Sequence, residues 1–391
     1  MKYFLARLYQ KILYIFTCLI KFREPIILNN TDELVNVLKK KSVQNILLLS
    51  GKRVCKQEFY INLENKLKDE FNVLKYTDIP TDPDINSIEN AVSTAKEFKT
   101  DAIIAVGGGS TMDAGKAIAA RYTNKKSLRK MRGLLKVTKK PKLLITIPTT
   151  AGTGSECTVA SVVSDLEHGE KYAINDPKLI PEYALLDPTV LLTLPADLTA
   201  QTALDALTHA IEAYLGNSNT ETTKRYALSA IHKIYENLQE AYEDNTALDV
   251  RKELQIASYQ AGIAFTRAYV GYVHAFSHAI AATYHLSHGY LNGIILPVIL
   301  EAYGEKIHKK LVTLNYLISA NDDNPNTFIM KIKELLITLN QENILCDIIK
   351  DEDIPKMIEH INKEVYPLYP VPKFFSNEEL LEIFNKLRNI A

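Results

Sequence analysis

The chain has 391 residues, 47% of them hydrophobic, and its 46 basic side chains are balanced by 46 acidic ones. This composition gives no sign of disorder, of an acidic tail or of a nucleic-acid partner. The length favours two domains over one. The cysteines are scattered with no C-x-x-C pair, which is typical of a protein of the reducing cytoplasm and argues against a thiolate zinc site. They are Cys18, Cys55, Cys157 and Cys346.

The first 23 residues predict an amphipathic helix outside the main domains. The uninterrupted apolar run 12–20 is too short to span a bilayer, and no small-residue cleavage site follows it. Arg7, Lys11 and Arg23 are interleaved with aromatic residues. We expect this extension to pack on the body of the protein or on a sister subunit, in preference to contact with a membrane surface.

From residue 43 to about 148, short apolar segments alternate with amphipathic ones. The apolar segments predict strands, and the segments between them have helical periodicity. Alternation of this kind implies a parallel sheet covered by helices, with ligands bound beyond the carboxyl ends of the strands. The predicted strands are 44–50, 72–79, 101–107 and 141–148, and the predicted helices are 56–71, 87–99 and 112–122.

Two turns rich in glycine and threonine, 107–110 and 149–155, each follow a strand that the pattern predicts to be buried. Glycines at such turns let backbone N–H groups approach a phosphate, and the next helix offers its positive N-terminus. The G-x-G-x-x-G fingerprint fails here, because Met112 stands where the third glycine belongs. A single turn of this kind can be only a tight turn, but two on one sheet edge predict an anion site.

Strand signals stop at about Leu198, and helical segments continue to the end of the chain. We place the domain boundary near Leu194 and Pro195. The prediction is therefore an α/β domain over 24–195 and an all-helical domain over 196–391. Gly289 and Pro297 are expected to interrupt the helical pattern.

Four of the nine histidines fall in the segment 274–288. His274 and His278 are four residues apart, so on a helix they share one face. The flanking residues are small and apolar, and burying several imidazoles costs free energy unless each finds a partner. A metal ion can be the partner of several at once. The alternative is a set of separate core histidines bonded to carbonyl groups, and this segment alone does not decide between the two.

A second segment favours the metal. Asp205 and His209 stand at i and i+4 in the apolar sequence ALDALTHAIEAYL. One carboxylate and three imidazoles form a mixed oxygen and nitrogen ligand set, which suits Fe²⁺, Zn²⁺ or a similar divalent ion.

Four segments in this order resemble the successive signatures of the iron-containing (group III) alcohol dehydrogenase family. They are GGGSTMDAGKAIA (107–119), PTTAGTGSECT (148–158), DALTHAIEAY (205–214) and VHAFSHAIAATYHLSHG (273–289). The resemblance extends from about residue 24 to the end. It implies a Rossmann-like nucleotide-binding domain with a parallel sheet, an all-α metal-binding domain, and NAD(P) in the cleft between them.

The resemblance also implies roles for individual residues. Related glycerol dehydrogenases use one Asp and two His, so the four-ligand set favours the iron-type branch. Phe265 matches a residue of the pocket wall, and Arg267 and Tyr269 lie where the substrate pocket is expected. The implied metal ligands are Asp205, His209, His274 and His288. The implied cofactor contacts are Gly108, Gly109, Ser110, Asp113, Thr149, Thr150, Thr153 and Lys171.

His278 matches a family histidine near the nicotinamide that is not a metal ligand. It is therefore a candidate proton carrier, since imidazole has a pKa near neutrality. The alternative is that it only orients a ligand. His285 matches no role and is left as a core or pocket-edge residue.

The residue after the first strand bears on the choice of cofactor. Members of the family that use NAD commonly carry an Asp there, which would bond the ribose hydroxyls and repel a 2′-phosphate. Here the position is Gly51, followed by Lys52 and Arg53. We therefore expect NADP(H) in preference to NAD(H), because cations bind phosphate well. The alternative is that both cations are ordinary solvated charges.

These observations predict a cytoplasmic, metal-dependent oxidoreductase that interconverts a small alcohol and its aldehyde as a homodimer or higher oligomer. Two alternatives stay open at this point. One is a metal- and NAD-dependent lyase similar to dehydroquinate synthase, and the other is a non-catalytic metal- or nucleotide-binding protein.

Overall fold

The computed structural model describes residues 2–20 and 22–389; two positions of the predicted extension, Met1 and Lys21, lie outside this range. The chain divides into two compact units. One is formed by residues 22–194, and the other by the N-terminal segment together with residues 195–391. The N-terminal segment is the helix α1 (Lys2–Leu19), which has no acidic residue in its first turn.

The unit formed by residues 22–194 is built on a six-stranded parallel sheet. The central strands are runs of Ile, Leu, Val and Ala, and burial of both faces explains why they do not alternate with polar residues. This arrangement confirms the predicted parallel α/β fold. In spatial order the strands are β1 (Ile26–Leu28), β9 (Tyr183–Leu185), β6 (Leu143–Pro148), β4 (Ala102–Gly107), β2 (Asn45–Ser50) and β3 (Asn72–Tyr76).

A second, three-stranded sheet in this unit was not predicted. The middle strand pairs antiparallel with the edge strand that precedes it in the chain. The turn between these two strands contains Gly169, which has a φ of 63°. Polar and charged residues interrupt the apolar ones in the two longer strands of this sheet, so the sequence pattern did not show them. In spatial order they are β5 (Gly133–Leu134), β8 (Glu170–Asn175) and β7 (Ala160–Asp165).

Five helices accompany the sheets. The fourth of them, α5, begins directly after β4 and packs so closely on it that an added Cβ at Gly115 would lie 2.8 Å from the Ala105 Cβ. This close contact places the N-terminus of α5 at the carboxyl end of the sheet. The helices are α2 (Thr31–Lys40), α3 (Glu58–Lys68), α4 (Ile85–Glu97), α5 (Gly109–Thr123) and α6 (Leu128–Met131).

The second unit contains only helices among the described residues after Leu194, as the sequence predicted. The helices are α7 (Ala196–Leu215), α8 (Glu221–Glu243), α9 (Leu248–Ala268), α10 (Tyr272–Tyr284), α11 (His288–Tyr303), α12 (His308–Leu317), α13 (Asn326–Thr338), α14 (Leu345–Ile348), α15 (Ile354–Val365) and α16 (Asn377–Asn389).

Helix boundaries around the histidine segment differ from the predicted ones. The segment 250–284, in which the sequence analysis set no boundary, is two helices, because Tyr269 adopts a φ of 65° and ends α9. Conversely, α11 starts at His288 and continues past Gly289 and Pro297, so neither of these residues interrupts it. The break after α9 places His274 in the first turn of α10, and the position of α11 places His288 at its start.

Helix α1 lies on the helical unit. The Tyr3 ring stacks on Phe374 with 5.0 Å between ring centroids. The Arg7 guanidinium lies 4.3 Å from the centroid of the same Phe374 ring. The Gln10 amide donates to the carbonyl oxygens of Pro367 and Tyr369 at 2.9 and 2.7 Å. Among the described residues, no helix is both long and apolar enough to cross a membrane.

Candidate metal centre and nucleotide-binding turns

Helix α7 carries three polar side chains on one apolar face. Asp205, His209 and Glu212 follow one another at steps of four and three residues, which is the helical repeat, and all three are buried. The Oδ1 atom of Asp205 lies 3.8 Å from the Nδ1 atom of His209. This nitrogen of His209 is buried and makes no hydrogen bond within the described part of the chain. Such an atom is available to a ligand from outside the chain.

Helices α10 and α11 bring two more imidazoles to the same carboxylate oxygen. The Nε2 atoms of His274 and His288 lie 3.6 and 3.5 Å from Oδ1 of Asp205. Tetrahedral coordination with bonds of about 2.1 Å separates neighbouring ligand atoms by about 3.4 Å. The separations found here are close to that value. Among the described residues, Asp205, His209 and His274 each offer a ligand atom within 4.8 Å of the other two, and Nε2 of His288 lies 3.5 Å from Oδ1 of Asp205, so this cluster can hold a divalent cation.

The charges around this cluster also favour a cation. Burial opposes ionisation of Asp205, but the three imidazoles beside it outweigh burial and lower the pKa of the carboxyl. Burial lowers the pKa of His209 to about 3, so its ring is neutral. Burial has the same effect on His274, but hydrogen bonds to Asp205 and Glu212 outweigh it and raise the pKa of His274 to about 9. Positive charge is therefore stabilised between the two carboxylates.

Two residues that the sequence analysis did not single out orient the ligand imidazoles. Glu212 accepts from Nδ1 of His274 at 2.7 Å and also from the backbone N–H groups of Gly271 and Val273 at 2.8 and 2.7 Å. Ser277 Oγ lies 2.8 Å from Nδ1 of His288. Both contacts are made by Nδ1, so Nε2 of each imidazole points toward Asp205. In metal sites, an outer partner at one ring nitrogen fixes the imidazole in this way. The signal for Glu212 was its position seven residues after Asp205 on a predicted helix.

His278 lies beside the ligand cluster. Its Nδ1 atom is 2.6 Å from Oε1 of Glu364 on α15, and its ring stacks on that of His288 with 4.9 Å between centroids. The His278 side chain is 41% exposed, so it can exchange protons with solvent. His285, by contrast, is an exposed residue in the left-handed region that ends α10.

Residues of α9 cover one side of the centre. The Phe265 ring stacks on His209 with 4.0 Å between centroids and an interplanar angle of 13°. Arg267 lies in the last turn of the same helix, and Tyr269 caps it; both are partly buried. The structure therefore places Phe265 against a proposed ligand and the other two just beyond it in the chain.

The two predicted nucleotide turns lie side by side at the carboxyl end of the parallel sheet. They follow β4 and β6, which are neighbours. A Cβ added at Gly109 would come within 2.8 Å of Thr153 Cγ2, and one at Gly108 would lie 3.5 Å from Thr150 Oγ1. Gly108 precedes α5 and Gly109 is its first residue, so the turns present backbone N–H groups at a helix N-terminus, where anions bind.

Internal hydrogen bonds hold these turns in place. Asp113 on α5 accepts from Ser155 Oγ at 2.6 Å and from the Val162 backbone N–H at 2.9 Å. The fully buried Lys116 donates to Ser155 Oγ and to Thr158 Oγ1, both at 2.8 Å. The carboxylate of Asp113 thus bonds to the neighbouring turn, whereas Ser110, at the start of the same helix, is partly exposed.

The residues predicted to determine the cofactor preference follow strand β2. Gly51 directly follows β2, and a Cβ there would meet only the Ile79 carbonyl oxygen, at 3.8 Å. Lys52 is exposed and lies 3.4 Å from Asp78. Lys171, which lies on β8, forms an exposed ion pair with Asp82 at 2.7 Å. There is therefore room for a side chain at position 51. The ammonium group of Lys52 forms an ion pair with Asp78, which the sequence analysis did not consider.

Comparison with known protein families accounts for nearly the whole chain. Residues 26–188 match the family model of iron-containing alcohol dehydrogenases, and residues 199–388 match the model for the C-terminal part of the same family. The chain belongs to the iron-containing alcohol dehydrogenase family. The lyase and the non-catalytic protein considered above are therefore not favoured.

Individual relatives support this membership. Alcohol dehydrogenase 4 of Saccharomyces cerevisiae is 32% identical over 359 residues, which cover 91% of this chain and 94% of that protein. The NAD-dependent methanol dehydrogenase of Bacillus methanolicus is 36% identical over 216 residues, or 55% of this chain and 57% of that protein. The crystal structure of a 1,3-propanediol oxidoreductase superposes with a TM-score of 0.88 at 27% identity, covering 94% of this chain and all of that one.

Proposed function

We propose that this iron-type alcohol dehydrogenase interconverts a small primary alcohol and its aldehyde with NADP(H), at a divalent ion held by Asp205, His209, His274 and His288. The observation that carries the proposal is the convergence of three imidazole nitrogens within 3.8 Å of one carboxylate oxygen. Fe²⁺ fits this set of oxygen and nitrogen donors, and so does Zn²⁺.

In this reaction, different residues would hold the ion, orient and shield its ligands, and carry a proton. A divalent ion supplies Lewis acidity toward the substrate oxygen. Glu212 keeps Nε2 of His274 directed at the ion, and the Phe265 ring covers one face of His209 and keeps water from it. Glu364 holds Nδ1 of His278, which leaves Nε2 of that partly exposed ring to carry the proton exchanged with solvent.

The test is an assay of the protein loaded with Fe²⁺ or Zn²⁺ against a panel of small aldehydes and alcohols, with both nicotinamide cofactors. We expect aldehyde-dependent oxidation of NADPH and the reverse reaction with the matching alcohol. A lyase or a binding protein would consume no cofactor in the presence of aldehydes. Absence of turnover with the whole panel, in protein shown to hold its metal, would contradict the proposal.

The preference for NADP(H) rests on the absence of a carboxylate after β2. Gly51 leaves the space beside the strand end open, and Lys52 and Arg53 are both exposed. The ion pair between Lys52 and Asp78 is exposed as well, so it holds the lysine weakly and leaves it available to a phosphate.

Replacing Gly51 with aspartate should reverse the cofactor preference. The side chain fits, because its Cβ would meet only one backbone atom at 3.8 Å, and its charge would repel a 2′-phosphate while accepting bonds from ribose hydroxyls. The measurement is kcat/KM for NADPH and NADH in the parent and in Gly51→Asp. Asn72→Asp is the control, because it adds the same charge at the start of β3, where the amino ends of the parallel strands lie. A parent that prefers NADH, as the name of the Bacillus methanolicus relative would suggest, overturns this preference.

We propose further that the protein is a cytoplasmic homo-oligomer and that a second copy covers α1. Ala6 and Gln10 are buried against the helical unit, whereas most of the exposed side chains of α1 are apolar, led by Phe4 at 72% and Ile15 at 58%. The exposed apolar residues at positions 5, 8, 12 and 15 are spaced by three, four and three, the spacing by which two helices pack along a seam. The four cysteines are scattered along the sequence with no C-x-x-C pair, which supports a reducing compartment.

Deletion of residues 1–22 should reduce the size of the oligomer but leave turnover measurable, because the proposed site residues all come later in the chain. The measurement is the mass in solution by light scattering, together with kcat. Leu8→Glu in the full chain is the matched variant, since it places a charge in the seam without shortening the protein. A parent and a deletion variant of equal mass would exclude α1 as the contact, and a folded, metal-loaded but inactive deletion would show that α1 is needed for turnover.

A further inference from the structure

A buried amide lies against the proposed metal ligands. Asn292 is fully buried on α11, one turn after His288. Its Nδ2 atom donates to Oδ1 of Asp205 at 2.7 Å and lies 3.2 and 3.1 Å from Nε2 of His274 and His288. One side-chain nitrogen is thus within hydrogen-bond distance of three of the four proposed ligand atoms.

The orientation of this amide follows from its surroundings. Turning it over would place the amide oxygen 2.7 Å from a carboxylate oxygen of Asp205, an arrangement with no proton between two acceptors. With the nitrogen toward Asp205, the amide oxygen is buried and makes no hydrogen bond within the described residues. The amide oxygen of the buried Asn315 in the same unit also lacks a hydrogen bond within the described residues, so the two asparagines differ in what their amide nitrogens contact.

A buried asparagine elsewhere in the same unit shows the usual structural pattern. Asn315 on α12 donates to two carbonyl oxygens, of Asp322 and Asn324, both at 2.7 Å, and so closes a loop. Asn292 donates to no backbone carbonyl among its recorded contacts and faces ligand atoms only. The amide of Asn315 therefore binds the backbone, whereas the amide of Asn292 contacts side chains.

We propose that Asn292 is a positioning residue, which fixes the Asp205 carboxylate in the arrangement that binds the metal. A carboxylate can rotate and can bind through either oxygen. A donor on Oδ1 holds this oxygen at the point that the imidazoles approach, and it removes some of the negative charge there. The inference rests on the metal site of the proposed function and adds to it a residue that sets metal affinity and coordination.

The test is a titration of metal-free protein with Co²⁺ against a competing chelator, because the visible spectrum of Co²⁺ also reports its coordination. Asn292→Leu keeps the size and removes the donor. We expect its Kd for Co²⁺ to rise 10- to 100-fold, as for other outer partners of metal ligands, and its absorption bands to shift. Asn315→Leu is the control, and it should lower the melting temperature while leaving Kd and spectrum as in the parent.

Asn292→Ser serves as a second variant in case the leucine variant does not fold. Serine keeps a hydrogen-bond donor, on a shorter side chain. We therefore expect the Kd for Co²⁺ to rise less than in Asn292→Leu, in the same direction. Parent-like Kd and spectrum in the folded variants would overturn the role of Asn292. Failure of the parent itself to bind Co²⁺, Zn²⁺ or Fe²⁺ would instead overturn the proposed metal site, so the two failures are distinguishable.

Discussion

An alanine at position 289 is expected to remove most of the activity and part of the stability. Gly289 lies in the first turn of α11, where a Cβ would come within 2.1 Å of the Gln201 carbonyl oxygen and 3.5 Å of the Asp205 Cβ. The obstacle is backbone of α7, which cannot turn aside as a side chain can, so α11 must move away and take His288 with it. A displacement of about 1 Å at a reacting centre costs on the order of a hundredfold in rate.

The measurement for Gly289→Ala is kcat/KM together with bound metal and melting temperature, all of which should fall. Gly293→Ala is the matched control one turn later on α11. Its Cβ would meet Leu204 Cδ1 at 2.9 Å and Leu336 Cδ2 at 3.3 Å, and both are ends of flexible side chains. The control should therefore keep most of its activity and metal. Equal behaviour of the two variants would show that the contact between α7 and α11 does not position His288.

Replacing Asp205 with alanine is expected to have the largest effect on turnover. Asp205 supplies the oxygen from which the three imidazole nitrogens lie 3.5–3.8 Å away. Its loss removes the charge that holds the ion, and a metal's Lewis acidity contributes several kcal/mol to the transition state. The expected fall in kcat is therefore at least about a thousandfold.

The assay for Asp205→Ala should include binding of NADPH, followed by the fluorescence of the nicotinamide. We expect binding to persist, because the α/β unit has its own core and sheet. His285→Ala is the control, since this exposed histidine of the same segment contacts no proposed ligand. If Asp205→Ala turned over as fast as His285→Ala, the carboxylate would have no part in the reaction.

Much of the fold was predictable because its signals are periodic. Buried parallel strands are continuous apolar runs and their helices repeat every three to four residues, so the sheet over 45–148 and the helical second half followed from pattern alone. The strands β7 and β8 were missed because polar and charged residues interrupt their apolar ones. The break at Tyr269 was missed because a positive φ at a tyrosine leaves no mark in the composition.

Prediction of the candidate site had a similar limit. Residue type and spacing indicated the four proposed ligands, since His and Asp at helical intervals in apolar sequence are unusual. Glu212 was missed although its seven-residue spacing from Asp205 was a signal. Ser277, Glu364 and Asn292 were missed because their importance depends on which helices pack together. Close helix packing at Gly289 is likewise a property of the assembled fold.

Elemental analysis of the purified protein shows whether Asp205, His209, His274 and His288 hold one divalent ion. The parent, loaded with Fe²⁺ or Zn²⁺ and then freed of excess ion, should retain about one equivalent per chain. His274→Ala, prepared in the same way, should retain almost none, because it loses a ligand nitrogen 3.6 Å from Oδ1 of Asp205. If His274→Ala retained as much metal as the parent, His274 would not be a ligand and the proposed metal site would be wrong.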